Sequence, residues 1–193
     1  ALRYALRSDG SLEGPLGTTP VGPKTHSASI DPTTGAFFAS SLDANVIEEL
    51  RFSVLASEPK RVLPMPPGAG PRLFEFSADG AWLYVVGEFD VRLHALERST
   101  EGFVWRSAQA LCPAPVTPTD SGAHMELSAD GRFAYASSRG QNWITVFARV
   151  AGGDLQLIQR VDSGGAIPRH FSLVELAGQA FVAVANQESH RVS

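Results

Sequence analysis

The sequence contains a single cysteine, Cys112, which excludes an internal disulfide and any zinc site built on paired cysteines. A lone thiol fits a reducing compartment, and on that ground we expect a cytoplasmic protein. The chain also lacks runs of lysine or arginine, and its 16 basic and 20 acidic residues leave a net charge of -4. A surface that follows a phosphate backbone needs such a basic run, so we expect no nucleic-acid partner.

Long hydrophobic runs are missing as well. The apolar stretches, such as residues 181–185, have the length of a strand rather than of a membrane span, and no basic segment followed by an apolar one opens the chain. We therefore expect no association with a membrane. Hydrophobic residues still make up 44% of the sequence, which is enough to bury a core.

Several catalytic motifs are absent too. The chain has no His-Glu-x-x-His motif, no Gly-x-Ser-x-Gly elbow and no phosphate-binding loop, so we expect no metal catalysis, no covalent serine and no cofactor. Asp43, Glu88 and Asn186 carry oxygen atoms that suit calcium, but the arginines that accompany them in the repeat pattern argue against a cation. We predict no metal site.

What the sequence does contain is an internal repeat. One pattern occurs four times: a short apolar strand, a turn that ends in glycine, and a second apolar strand. The copies begin at His26, Arg72, Ala123 and Arg169, which are 46, 51 and 46 residues apart. Four-stranded β-propeller blades typically repeat every ~40 to 50 residues. The turn glycine supplies a residue that adopts a positive φ without steric cost.

Strand-like segments follow each hairpin, and helical periodicity never persists beyond about one turn. We predict an all-β fold, namely a β-propeller of which about four blades are covered. Complete blades start at residues 26, 72 and 123, and the third strand of the first of these is expected at 46–52. Half blades are expected at 1–22 and at 167–193, and the second of them supplies only its first two strands.

Two architectures fit three complete blades and two half blades. The chain is either an arc of a larger ring or a four-bladed ring in which the N-terminal strands complete the last blade. An open arc exposes sheet edges and faces that proteins normally cover, so further blades or a second chain would have to complete it. We favour the arc, and with it the interpretation that the sequence is a fragment.

The repeat also predicts where a site lies. In an antiparallel hairpin the first strand starts at the edge where the second strand ends. Because the first strand is the innermost of a blade, residues at this edge should form a polar pocket at one mouth of the central channel. These residues are His26, Arg72 and Arg169 at strand starts, and Asp43, Glu88, Arg139 and Asn186, each eight residues after a turn glycine.

Several short segments resemble a known family. They are Thr25-His26-Ser27, Pro71-Arg72, Ala136-Ser137-Ser138-Arg139-Gly140, Pro168-Arg169-His170-Phe171 and Val184-Ala185-Asn186-Gln187. The segments are similar to those of the lactonase β-propellers, which include bacterial 6-phosphogluconolactonases and fungal carboxy-cis,cis-muconate cyclases. The likeness runs from Leu2 to Ser193. It implies a ring of seven blades, so that about three blades are absent here.

The resemblance to the cyclase branch implies four catalytic residues: His26, Arg72, Glu88 and Arg139. The segment 168–171 departs from the cyclase pattern and is closer to the bacterial lactonases. Arg169 and His170 in that segment are therefore expected to join Arg72 and Arg139 in binding the substrate.

These side chains suit the chemistry of a carboxylated lactone. Arginine forks bind carboxylate or phosphate, and histidine exchanges protons near neutral pH. Glu88 acts as an acid or base only if its surroundings tune its protonation. Each residue also has a structural interpretation, since the arginines would pair with Glu88 at a blade edge and His26 would bond to a neighbouring blade.

Two further histidines, His124 and His94, lie within the repeats. His124 is in register with His170 and is a weaker candidate for the anion pocket. His94 falls on the third strand of its blade, away from the channel, and we predict a structural role for it.

We predict a metal-independent lactonase or lactonising cyclase that acts on a carboxylated, anionic lactone such as 6-phosphogluconolactone. A carboxy-cis,cis-muconate cyclase, which is an isomerase, is one alternative. A non-catalytic propeller that serves as a binding platform is the other, since one fold hosts many functions.

Overall fold

The fold was analysed in a computed structural model that describes residues 1–50 and 61–193. Antiparallel strands build five separate sheets, and the all-β prediction is confirmed. The N-terminal hairpin consists of β1 (Leu2–Leu6) and β2 (Leu12–Thr18). The first blade contains β3 (Thr25–Ile30), β4 (Phe37–Ser41), β5 (Val46–Leu50) and β6 (Arg61–Pro64).

The remaining sheets repeat this plan. The second blade contains β7 (Pro71–Phe76), β8 (Trp82–Gly87), β9 (Arg92–Ser99) and β10 (Gly102–Ala110). The third blade contains β11 (Ser121–Leu127), β12 (Phe133–Arg139), β13 (Trp143–Arg149) and β14 (Leu155–Asp162). The fourth blade contains β15 (Pro168–Leu176), β16 (Gln179–Asn186) and, after a 3₁₀ turn (Gln187–Ser189), β17 (Arg191–Val192).

Each sheet is a meander in which successive strands pair with one another. The fourth blade extends beyond the expected two strands, because β17 pairs with the end of β16 through Ala185–Val192 and Asn186–Arg191. The end of the strand predicted at 46–52 lies outside the described residues. In the part of the chain that the structure describes, no helix is long and apolar enough to cross a membrane.

The hairpin turns follow the chemistry of their residues. In the second blade, Ser77 Oγ donates to Asp79 Oδ1 at 2.6 Å, and Asp79 Oδ1 also accepts a hydrogen bond from the Ala81 amide. Gly80 closes this turn at a φ of +66°, in the left-handed region that glycine adopts without a Cβ clash. Gly131 has the same φ in the same turn of the third blade. The Ser-Ala-Asp-Gly repeat is therefore a repeated turn geometry.

The hydrophobic core lies between adjacent blades. Every residue of β8 is buried, because this strand is sandwiched between the first and third blades. One apolar cluster joins Tyr84 and Val86 of the second blade to Met125 and Phe147 of the third. A second cluster joins Phe38 of the first blade to the opposite side of the second. Sheets that pack face to face in this manner give the radial order of a propeller.

The N-terminal hairpin stays a sheet of its own. Among the described residues, neither β1 nor β2 pairs with β15, β16 or β17. A four-bladed ring would need such pairing, since its last blade would take its outer strands from the hairpin. Apolar residues of the hairpin, such as Leu2 and Leu6, are exposed.

A buried ion pair ties the first two blades together at the turn side. Arg98 Nη2 lies 2.7 Å from Asp31 Oδ2, and the Asp31 side chain is 1% exposed. Burial raises the pKa of Asp31, but the hydrogen bonds from Arg98, Thr33 and Thr34 outweigh it and bring the pKa to about 2. Asp31 is therefore a charged, fully bonded group inside the blade interface.

We expect Asp31→Asn to lower the free energy of unfolding by about 3 kcal/mol, because it leaves Arg98 without its buried partner. Urea unfolding at pH 7 measures this loss. Asp130→Asn is the matched control, since Asp130 pairs with Arg132 at an exposed turn and its loss should cost clearly less. Equal losses in the two variants would contradict the prediction.

Candidate active site

A β-bulge interrupts the start of the innermost strand in all four blades. The register shifts lie between Thr25 and Ala28, between Pro71 and Leu73, between Gly122 and Met125, and between Pro168 and His170. One extra residue re-aims the side chains around it. The residues inside the four bulges include His26, Arg72, His124 and Arg169.

The centre of the site is a carboxylate between two guanidinium groups. Glu88 directly follows β8, and its Oε2 lies 2.8 Å from Arg72 Nε. Its Oε1 lies 3.2 Å from Nη2 of Arg139, the last residue of β12. The Arg72 and Arg139 side chains are 5% and 12% exposed. Glu88 therefore joins the second and third blades, and the structure brings together three of the residues predicted from the sequence.

Backbone carbonyl groups hold the two arginines from the other side. Arg72 Nη1 donates to the Ala123 carbonyl oxygen, and Arg139 Nη2 donates to the Gly122 carbonyl oxygen at 3.0 Å. The Gly122 amide donates to the Glu88 carbonyl at 3.0 Å. A Cβ at Gly122 would collide with Gly87, so only glycine permits this approach of the two blades. Both guanidinium groups are thus fixed before any ligand arrives.

His26 lies beside this cluster. Burial lowers the pKa of His26, the charges of Arg72 and Arg169 lower it further, and Glu88 together with a hydrogen bond to the Arg72 backbone only partly opposes them. The ring is therefore neutral at pH 7 and able to accept a proton. Burial and the charge of Arg139 likewise lower the pKa of Arg72, to about 10, so this guanidinium stays charged at neutral pH.

Two adjoining cavities share His26 and Arg169. The larger has a volume of about 730 Å³ and is lined by His26, Arg72, His124, Arg169, His170, His190 and Arg191, among others. The smaller, of about 300 Å³, is bordered by Lys24, Glu88 and Arg139. Glu88 is the one carboxylate that the structure, over residues 1–50 and 61–193, places in either lining. The combined lining therefore holds more cationic than anionic side chains, which favours anions.

The other predicted positions take different places. Arg169 and His170 are exposed on the wall of the larger cavity. Asn186 is 2% exposed and donates to the Ser163 carbonyl, while Asp43 pairs with Lys24 at 3.0 Å. Asp43 and Asn186 thus serve local structure. In the described part of the chain, no three His, Cys, Asp or Glu side chains are arranged to hold a metal ion.

Two histidines differ in their surroundings. His94 is buried, its Nε2 lies 3.0 Å from Asp90 Oδ2, and its Nδ1 accepts a hydrogen bond from Trp105 Nε1. These contacts give it a structural role on the third strand of its blade. His124 lies in the third bulge and lines the larger cavity together with His26.

His124 was predicted only as a weaker candidate, and His190 and Arg191, which also line the larger cavity, were not predicted. In the third bulge Ala123 takes the position that His26 has in the first, and His124 takes the position of Ser27. His190 has a left-handed φ of +52° after the 3₁₀ turn and precedes β17. The register of His124 with His170 in the repeat is the sequence signal that points to His124.

We expect Glu88→Gln to lower the free energy of unfolding by about 2 kcal/mol, since it leaves two nearly buried guanidinium groups without a counter-charge. Inorganic phosphate should restore part of the loss, because an anion that binds only the folded state adds stability in proportion to RT ln(1 + [L]/Kd). Thermal unfolding with and without phosphate measures both effects.

Glu97→Gln serves as the control for this prediction. Glu97 pairs with Arg106 at 2.7 Å, but both side chains are about half exposed. This variant should lose less than about 1 kcal/mol and should gain no additional response to phosphate. If phosphate stabilised the two variants equally, the anion site would not lie at Glu88.

Comparison with known proteins places this geometry in a family context. Residues 3–193 match the family described as "Lactonase, 7-bladed beta-propeller". A 6-phosphogluconolactonase of Bacillus subtilis is 29% identical over 201 residues, which cover 96% of this chain and 56% of that protein. The 6-phosphogluconolactonase of Formosa agariphila is 28% identical and is covered to 54%.

Solved structures give the same picture. The periplasmic gluconolactonase of Pseudomonas aeruginosa superimposes with a TM-score of 0.86 at 29% identity, over 98% of this chain and 57% of that one. A protein from Lactobacillus plantarum superimposes with a TM-score of 0.77 at 27% identity, over 98% and 62%. The chain thus spans little more than half the length of these relatives.

Proposed function

We propose that this chain, which belongs to the seven-bladed β-propeller lactonase family, carries the catalytic residues of a lactonase that opens the ring of an anionic sugar lactone. The observation that carries the proposal is the Arg72–Glu88–Arg139 cluster at the wall of a positively charged cavity. The names of the similar proteins, 6-phosphogluconolactonase and gluconolactonase, support the same reaction class.

The two fixed arginines suit the binding of substrate charge. Each guanidinium has five N–H groups, and the contacts to Glu88 and to the backbone of residues 122–123 occupy only some of them. The others would bind the negative groups of the substrate and stabilise the oxyanion that forms when water attacks the lactone carbonyl. Glu88 acts here as the group that orients both arginines.

His26 is the proposed general base. Its neutral ring would take a proton from water while the water oxygen forms a bond to the lactone carbonyl carbon. The bond between this carbon and the ring oxygen then breaks, and the His26 imidazolium returns the proton to the ring oxygen as it becomes a hydroxyl group. No external oxidant, reductant or cofactor enters these steps.

The arrangement of positive groups supports a doubly anionic substrate. Arg169, His170 and Arg191 line the larger cavity. Arg72, although distant in sequence, lines the same cavity. A lactone with a phosphate group, such as 6-phosphogluconolactone, would have its phosphate bound by Arg169 and His170, with the reacting carbonyl at Arg72 and Arg139. This assignment extends the predicted binding roles of Arg169 and His170.

We expect Arg72→Ala to reduce kcat/KM for 6-phosphogluconolactone at least about tenfold, the scale of a lost hydrogen bond to a charged group. The purified protein is assayed on 6-phosphogluconolactone, gluconolactone and 3-carboxymuconate. Arg106→Ala, which removes a surface arginine with one exposed ion pair, should behave as wild type. A wild-type protein that turns over none of the three compounds would contradict the proposal.

The same panel separates the alternatives. Turnover of 3-carboxymuconate alone would indicate a cyclase, which the presence of His26, Arg72, Glu88 and Arg139 also favours. Binding of 6-phosphogluconate without turnover of any lactone would indicate a binding platform.

The pH dependence of the rate should follow the protonation of His26. Because the pKa of His26 lies below its usual value of 6.5, the base remains neutral at pH 7 and becomes protonated only under more acidic conditions. We expect kcat/KM to fall on the acid side with a midpoint below pH 6.5, and His26→Gln to reduce it by ~100-fold or more. If the residual activity of His26→Gln fell at the same acid midpoint as the wild type, that midpoint would belong to another group.

We further propose that additional blades complete the channel around this site. The family has seven blades, and the exposed hydrophobic faces of the N-terminal hairpin and of the fourth blade are surfaces on which such blades would pack. The cytoplasmic location stays a prediction, and one of the similar proteins is named as periplasmic.

A further inference from the structure

Lys24 borders the smaller cavity but has no part in the reaction steps of the proposed function. It lies two residues before His26 in the chain, and Arg139 and Arg169 line the same cavity. Its side chain is 68% exposed, so a ligand that enters from solvent can reach the ammonium group. The backbone conformation of Lys24 and its ion pair both bear on whether this lysine binds a ligand.

His124, on the wall of the larger cavity, is also outside those steps, but its contacts explain it without a ligand. Its Nε2 lies 3.3 Å from Glu126 Oε1, and Glu126 Oε2 accepts a hydrogen bond from the Leu173 amide of the fourth blade at 2.9 Å. Glu75 accepts a hydrogen bond from the Leu127 amide of the third blade, also at 2.9 Å. These glutamates join neighbouring blades, and His124 is held by one of the joints.

The backbone of Lys24 has a conformation that lysine rarely adopts. Its φ is +50°, in the left-handed region where the Cβ of an L-residue crowds the following carbonyl oxygen. Hydrogen bonds hold the segment in place: the Gly22 amide donates to Glu48 Oε2 at 2.7 Å, and the Leu42 amide donates to the Lys24 carbonyl at 3.3 Å. The surrounding structure thus imposes a strained conformation on this residue.

The repeat shows which residue suits this position. Gly70 and Ile167 precede the innermost strands of the second and fourth blades, with φ values of +61° and +60°. Their carbonyl groups accept a hydrogen bond from the first amide after the second strand, as the Lys24 carbonyl does. Glycine adopts this φ without steric cost. The backbone joint therefore needs no lysine side chain, and lysine brings a strain that glycine avoids.

The ion pair of Lys24 does not explain the lysine either. Its Nζ lies 3.0 Å from Asp43 Oδ1, and the Asp43 side chain is 40% exposed. A pair between two exposed side chains adds little stability, so it does not offset the strained backbone. An ammonium group has three N–H donors, and the contact with Asp43 leaves the others for a ligand. The position and the charge of Lys24 both suit an anion in the cavity.

We propose that Lys24 is a specificity-determining residue that binds the second anionic group of the substrate together with Arg169. Because Arg169 borders both cavities, a phosphate bound to it would lie at their junction and be shared with the flexible side chain of Lys24. The substrate class is a sugar lactone that carries a phosphate, whereas gluconolactone has no group for Lys24. The proposal rests on the proposed function, which supplies the lactone and the role of Arg169.

The first test measures the binding of 6-phosphogluconate and of gluconate by calorimetry at low salt. Lys24→Gly should weaken 6-phosphogluconate binding at least about fivefold, because it removes a charged hydrogen bond, and should leave gluconate binding unchanged. Its Tm should stay the same or rise by up to about 3 °C, since relief of the strained φ offsets the flexibility of glycine in the unfolded chain. A lower Tm with unchanged binding would show that Lys24 is structural.

Ala177→Gly is the matched control. Ala177 has a left-handed φ of +51°, is exposed, and lies in the turn between β15 and β16, at the edge of the blade opposite the cavities. The variant removes the same kind of strain, but its affinity for 6-phosphogluconate should equal that of the wild type. An equal loss of affinity in both glycine variants would trace the effect to the backbone and refute the proposal.

A second pair of variants tests whether Asp43 and the phosphate compete for Lys24. Asp43→Asn should tighten 6-phosphogluconate binding about twofold, the scale of an exposed ion pair. The same substitution in a Lys24→Gly background should have no effect, because the coupling between two residues is lost when one of them is absent. An equal gain in both backgrounds would reflect the general field of the protein and would contradict a direct contact between Lys24 and the phosphate.

Turnover separates this proposal from the proposed function. In an active wild type, Lys24→Gly should lower kcat/KM for 6-phosphogluconolactone at least about fivefold and leave that for gluconolactone unchanged. Equal losses on the two lactones would overturn the role of Lys24 in specificity. A wild type that hydrolyses no lactone would refute the lactonase, while the binding measurements would still decide whether Lys24 holds a phosphate.

Discussion

The bulge at the start of each innermost strand is the constraint on which the site depends. An unbroken antiparallel register would turn alternate side chains of the strand toward the two neighbouring blades. One extra residue breaks this alternation at the channel mouth in all four blades. The fold thus adds a polar residue where the hydrophobic interface between blades ends. Sites of this kind are compatible with a well-packed propeller, because the disruption is confined to the rim.

Electrostatics then decides what the rim can bind. Arg72 is almost fully buried, and burying a guanidinium is costly unless it is paired and hydrogen-bonded. Glu88 and the carbonyl groups of residues 122–123 meet that requirement, but one carboxylate cannot balance Arg72, Arg139 and Arg169. The remaining positive charge is held in place because the three arginines stand on strands of three successive blades. An anionic ligand therefore enters a site that needs little rearrangement.

Much of this architecture can be predicted from the sequence, because turn glycines and strand periodicity are local signals. The spacing of Gly80 and Gly131 predicts the hairpins, and antiparallel pairing predicts that Arg72 and Glu88 meet at one edge. The contact of one carboxylate with two arginines was among the structural interpretations of the sequence. A bulge is not a local signal, since it depends on the partner strand. The place of His124 inside a bulge and its pairing with Glu126 could therefore not be predicted. β17 was also missed, because two residues give no periodicity.

The pairing of blades through Glu75 and Glu126 has a consequence for how this molecule can diverge. Each of these carboxylates sets the spacing between two neighbouring sheets by accepting one backbone N–H. Glu126 does so while it also contacts His124, which lines the larger cavity, so this side chain connects the joint between blades to the cavity wall. A substitution that tunes the cavity at this point must also preserve the joint, whereas Glu75 is constrained by the joint alone. Two otherwise equivalent positions of the repeat are then constrained unequally, because only Glu126 also holds a side chain of the cavity wall.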